Sequence, residues 1–95
     1  MGRRHGHSLV EHLLTRLLGH HPLIDVDLDA QGRPWRLRWD GGSEQVEVCN
    51  LWRVDEAWWR RPVSRDYYKL AGKRLLALVY LDRIDQTWHL ERVYD

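Results

Sequence analysis

A chain of 95 residues has room for one compact domain, which at this size buries only about 60 to 65% of the surface its unfolded form exposes, and a second core is excluded. Hydrophobic residues at 43% and charged residues at 31% exclude a disordered chain, although six Trp with no Phe, and thirteen Arg against two Lys, are unusual proportions. A formal charge of +1 means that any basic surface must come from local clustering; a single cysteine, Cys49, excludes an internal disulfide and a paired-cysteine zinc site and fits a reducing cytoplasm.

Residues 1–7 read as a flexible N-terminus. Ser8 followed three residues later by Glu11 makes a capping box, and Leu9, Val10, Leu13, Leu14, Leu17 and Leu18 then recur at helical spacing until Gly19. Residues 8–19 are therefore expected to form an amphipathic helix, roughly 16 Å long at 1.5 Å per residue. Covering one face of a sheet is the plainer use of its greasy side; Leu9, Leu13 and Leu17 are the residues that would meet a partner helix or a second copy.

After Pro22 the period becomes two, and residues 22–95 read as a single β domain. Ile24, Val26 and Leu28 alternate with Asp25, Asp27 and Asp29, while Trp35, Leu37 and Trp39 alternate with Arg36 and Arg38. A turn centred on Gln31 and Gly32 pairs Leu28 with Trp35, Val26 with Leu37 and Ile24 with Trp39 on an apolar face. It also sets Asp27 opposite Arg36 and Asp25 opposite Arg38 on a charged one. A one-residue slip would put each Asp against a Trp or Leu, so both faces require the same register.

A loop over residues 41–44 would pair Trp39 with Val46, Leu37 with Val48 and Arg38 with Glu47, with the third strand continuing the buried face through Trp52 and Val54. Residues 55–65, with Pro62 and the Trp58–Trp59 doublet, read as the longest connection. A meander closes the chain: residues 67–70, a turn at Ala71 and Gly72, residues 75–81, a loop over 82–86 and residues 87–94. In it Tyr80 is expected to face Trp88, and Leu78 to face Leu90. Residues 75–81 are apolar throughout except for amphipathic Tyr80, the mark of a central strand covered on both faces. The fold class expected is mainly β: six antiparallel strands in a strongly bent sheet or small open barrel, with one N-terminal helix.

Signals for catalysis are poor. Ser8 is used by a helix cap, Ser43 by a glycine turn, and Cys49 reads as a buried, inert mid-strand thiol. Asp55 with Glu56, and Asp82 with Asp85, lie in expected loops, where solvated turn carboxylates are commoner than catalytic pairs. His5, His7, His20 and His21 bracket a helix that holds the two groups apart, so no metal site and no cofactor are expected. No apolar run spans a bilayer and no signal region is read, which favours a cytoplasmic protein without membrane contact. The remaining pattern is arginine beside tryptophan. Arg33, Arg36 and Arg38 follow one strand, where Asp partners absorb the last two. Arg53, Arg60, Arg61 and Arg65 surround Trp58 and Trp59, a mixture able to track phosphates and stack on bases or to bind an acidic protein surface.

Residues 51–59, L-W-R-V-D-E-A-W-W, residues 65–68, R-D-Y-Y, and residues 88–95, W-H-L-E-R-V-Y-D, resemble a family of small bacterial domains of unassigned function; residues 32–40, G-R-P-W-R-L-R-W-D, look like its first hairpin. The W-x-V-D-E-x-W-W segment with its closing V-Y-D is also similar to the C-terminal end of the catalytically inactive, polymerase-like accessory subunit of the bacterial translesion mutasome. That resemblance implies a binding role near DNA repair, with mutasome components as partners, and supplies no catalytic residues. The expected function is a non-enzymatic interaction module that contacts single-stranded DNA through Arg53, Trp58, Trp59, Arg60, Arg61 and Arg65. The alternative is a protein-binding or homodimerising domain that uses the helix or an open sheet edge.

Overall fold

The computed structural model describes residues 21–57 and 62–94, so the expected helix, with Leu9, Leu13 and Leu17, lies outside the described residues, as does the Trp58–Arg61 segment. Six strands follow in chain order: β1 (Asp25–Leu28), β2 (Pro34–Trp39), β3 (Gly42–Ala57), β4 (Pro62–Gly72), β5 (Leu76–Asp82) and β6 (Thr87–Tyr94). Each pairs antiparallel with the next, giving a six-stranded meander in the order β1 to β6. The sheet curls into a half-barrel. Its far edges meet at one end, where Leu23 bridges to His89, Ile24 N–H donates to the Trp88 carbonyl at 3.1 Å and Leu90 N–H to that of Pro22 at 2.9 Å. No helix among the described residues is long and apolar enough to cross a membrane.

The inner face of the curl holds the core. Ile24, Leu37 and Val46 from the first half pack with Tyr68, Leu70, Ala77, Val79 and Leu90 from the second, and Leu37, Leu70, Leu90 and Val79 are essentially solvent-free. Each such leucine or valine contributes about 1.5 to 3 kcal/mol by leaving water. β3 links the halves: Gly42–Gln45 pair with β2, and Val46–Ala57 with β4.

The first hairpin adopts the expected register at Asp25–Arg38, Val26–Leu37 and Asp27–Arg36. Beyond Asp27 it departs. Trp35 is an extra residue in β2, so Leu28 pairs with Pro34; Trp35 and Leu28, expected in the core, are 36% and 47% exposed. The turn is a five-residue loop in which the Asp29 carboxylate accepts from Gln31 and Arg33 N–H, both at 2.9 Å, and Gly32 supplies φ of 82°. Arg38 bonds Asp27 at 3.0 Å and not the expected Asp25, so Asp27 collects both guanidinium groups.

The second reversal is tighter than the expected 41–44 loop. Only Asp40 and Gly41 turn, with Gly41 at φ of 104°, and Trp39 pairs with Gly42, Leu37 with Glu44 and Arg38 with Ser43. The offset from the expected pairing is even, so the inner set keeps Val46 and Val48. Cys49 then interrupts the alternation: Val48 pairs with Leu70 and Asn50 with Lys69, leaving Cys49 as an unpaired bulge residue. It is exposed, not buried as expected, and the bulge turns Trp52 and Val54 to the outer face. Residues 55–57 and 62–65, expected in a long loop, are strand, with Asp55 opposite Ser64 and Ala57 opposite Pro62. Pro62 sits at the start of β4, where its missing N–H is tolerated.

In the closing meander the reversal falls at residues 73–75, beyond the expected Ala71 and Gly72. β5 is covered on both faces as expected, with Ala77, Leu78, Val79 and Tyr80 all buried in succession. Its pairing with β6 differs by one residue from expectation. Tyr80 meets His89, Leu81 meets Trp88 and Val79 meets Leu90, until the extra residue Glu91 moves Leu78 opposite Arg92. Continuous apolar strands lack the polar contrast that would fix register from pattern alone, and the one-residue change moves Trp88 to the inner face, 5.3 Å from Tyr68.

Candidate nucleic-acid interface

The bulge at Cys49 has its largest effect on the outer face. It sets Trp52 opposite Tyr67, which is opposite Tyr80, which is opposite His89, so one row of rings crosses β3, β4, β5 and β6. Trp52 and Tyr67 stack at 5.4 Å with planes 3° apart, Tyr67 and Tyr80 lie at 5.1 Å, and Tyr80 and His89 stack at 5.0 Å. Cross-strand ring pairs of this kind contribute about 0.5 to 1.5 kcal/mol each beyond area burial. His21 closes over Tyr80 edge-on, with Nδ1 2.9 Å from the phenolic oxygen. Burial raises the Tyr80 hydroxyl above the ordinary tyrosine value, so it is a neutral hydrogen-bonding group.

Cations flank the row. The Arg65 guanidinium lies 4.4 Å from the Tyr80 ring centre and donates to the Tyr67 hydroxyl at 3.1 Å. On the other side Lys69 and Arg92 approach the Tyr94 ring at 5.5 and 5.9 Å. The end of the row at Trp52 is open, 39% exposed, on the stretch of β3 beyond Gln45, whose far side pairs with no described strand. An exposed indole stacked on a second ring, with guanidinium and ammonium groups alongside, offers a plane for a base and positive charge for its phosphates.

Arg53 and Arg65 were expected to serve one surface with the Trp58 loop. They point to opposite faces, because Arg53 pairs with Asp66 and Arg65 with Val54. Arg53 is held by Asp66 through Nε at 2.6 Å and a second nitrogen at 3.3 Å, with Arg83 reaching the same carboxylate at 3.9 Å. The hydrogen bond to Asp66 favours the charged guanidinium and raises Arg53 above its ordinary value. Trp58, Trp59, Arg60 and Arg61 lie outside the described residues, as do His5, His7 and His20. The sequence signal for the ring row was present in Trp52, Tyr67, Tyr80 and His89, but locating it required the bulge and the β5–β6 register.

The nominated carboxylates do not form pairs. Asp55 and Glu56 are neighbours on an extended strand and face opposite ways, and Asp82 accepts from Ile84 N–H at 2.9 Å and Asp85 N–H at 3.2 Å, closing its own turn. No group of three or more metal-ligating side chains occurs among the described residues. A groove of about 860 Å³ lies beside Trp35, Glu44, Glu47, Lys73 and Arg74; Glu44 in it is engaged by Arg74 N–H at 2.7 Å. No protein-family model, no curated protein and no solved structure matches the chain.

Proposed function

We propose that the protein is a non-enzymatic, cytoplasmic binding module that takes single-stranded nucleic acid on its outer face, in the DNA-damage-tolerance setting that the resemblance implies. The observation that carries this reading is the Trp52–Tyr67 stack, 39% exposed at Trp52 and continued inward by Tyr80 and His89, with Arg65 fixed against it. A base added on Trp52 lengthens an existing stack, so little side-chain order has to be created on binding. Arg65, Lys69 and Arg92 supply sequence-independent attraction to phosphate, which makes binding fall steeply with salt. Trp58, Trp59, Arg60 and Arg61 lie outside the described residues and belong to the same reading on their sequence alone, as arginine beside tryptophan.

The test is a tryptophan-fluorescence titration with a short oligothymidylate at several salt concentrations. Quenching at low salt, weakened about tenfold by Trp52→Ala in line with about 1 to 3 kcal/mol per stacked base and reduced at higher salt, is the expected result. Absence of quenching at low salt removes the nucleic-acid reading.

A further inference from the structure

We infer that the open edge of β3 docks a second copy of this chain, with two β3 strands running antiparallel about a two-fold axis at Val54. β2 covers β3 only along Gly42–Gln45, and on that same side the stretch from Val46 to Ala57 pairs with no described strand. At about 3.4 Å per residue this is a long edge, and such edges are templates for another strand. Leu51 and Trp52, on its two faces, are 51% and 39% exposed.

Backbone direction narrows the register. Leu51 N–H is taken by the Asn50 side chain at 2.9 Å, which marks it as a donor on the open side. Alternation then turns the N–H and C=O groups of Arg53 and Asp55 to the same side, with Asn50 capping the row. Two-fold antiparallel pairing of those groups centres on Trp52, Arg53 or Val54. A centre at Arg53 sets Arg53 against its own copy, and a centre at Trp52 sets it against Leu51. A centre at Val54 sets Arg53 of each copy against Asp55 of the other, twice, with both backbone bonds of each pair made. The charges fit: Asp55 is exposed and forms no ion pair among the described residues, and Arg53, 52% exposed, holds Asp66 of its own chain while its remaining donors are accessible. Paired residues share a face, so the outer faces of the copies become continuous. The same register sets Trp52 of each copy opposite Glu56 of the other, at the open end of the ring row, so a second copy and a stacked base compete for that end. The dimer is tested without nucleic acid, and its failure leaves the base-stacking reading standing.

Sedimentation equilibrium of the full chain is expected to give a dimer. Arg53→Asp places like charges opposite each other, as does Asp55→Arg, and each alone should weaken association about tenfold or more. An equimolar mixture of the two variants restores both opposite-charge pairs and is expected to associate within about threefold of the unaltered chain. Circular dichroism of each variant separates lost pairing from lost folding. In a Cys49→Ser background, Val54→Cys faces itself across the axis, where Cα atoms about 4.5 Å apart are within disulfide reach, and should cross-link under mild oxidation. A monomer at all concentrations, a mixture no tighter than its components, or an uncross-linked Val54→Cys chain overturns the inference.

Discussion

The β1–β2 and β5–β6 hairpins each carry one extra residue, Trp35 in the first and Glu91 in the second, yet they are held by different forces. In β1–β2 one face is apolar and the other is an ion-pair cluster in which Asp27 binds Arg36 at 2.6 Å and Arg38 at 3.0 Å. In β5–β6 both faces bury rings or aliphatic groups, with Val79 and Leu90 inside and Tyr80 against His89 outside. The first hairpin is specified by contrast, since a slip exposes leucine and buries aspartate. The second is specified by fit, since a slip exchanges one apolar surface for another and only shape discriminates.

The comparison can be broken most severely at a bulge. Deleting Cys49 removes the extra residue that sends Leu51 inward and Trp52 outward, so either the β3–β4 ladder or every facing beyond it must fail. Loss of a cooperative thermal transition is expected, a cost above about 4 kcal/mol, whereas Cys49→Ser, at an exposed position, should stay within about 0.5 kcal/mol.

A smaller change sharpens the account of the fitted hairpin. Tyr80→Phe keeps the ring row and removes the hydrogen bond to His21, with an expected loss of about 1 kcal/mol in denaturant unfolding at neutral pH. Burial holds the Tyr80 hydroxyl above its ordinary value, as it does that of Tyr68, so the unfolded chain ionises first. Stability is therefore full below the unfolded tyrosine value of about 10 and declines as pH rises above it; the phenylalanine variant should show a shallower alkaline decline.

The gentlest test falls on the hairpin built by contrast. Hydrogen bonds from Arg36 and Arg38 hold the Asp27 carboxyl below the usual aspartate range. Its contribution is full above the unfolded value of about 3.9 and is lost as pH falls through the lower folded one, so Asp27→Asn should flatten the acid limb of a stability-against-pH curve.

These two regions also explain what could be read before any coordinates. Six strands, the buried run through β5 and three pairs of the first hairpin were legible because alternation and charge marked them. The bulges at Trp35, Cys49 and Glu91 were not, since an extra residue leaves composition and period almost unchanged while inverting every facing after it. The candidate site suffered most. Arg53 and Arg65, grouped together by their place around the Trp58–Trp59 doublet, fall on opposite faces, and Trp52, expected in the buried layer, is the exposed end of a stack. The rest of the expected site, Trp58 to Arg61 and the leucines of the helix, lies outside the described residues.

The bridge between Leu23 and His89 has a consequence for how the chain acquires its shape. Among the described residues all other strand pairing joins sequence neighbours, so the meander can zip hairpin by hairpin with little loop-closure entropy at each step. Joining the first segment to the last spans nearly the whole domain and has the largest closure entropy. It becomes favourable once the intervening strands have drawn the ends together, which makes the seam a late event in folding and an early one in unfolding.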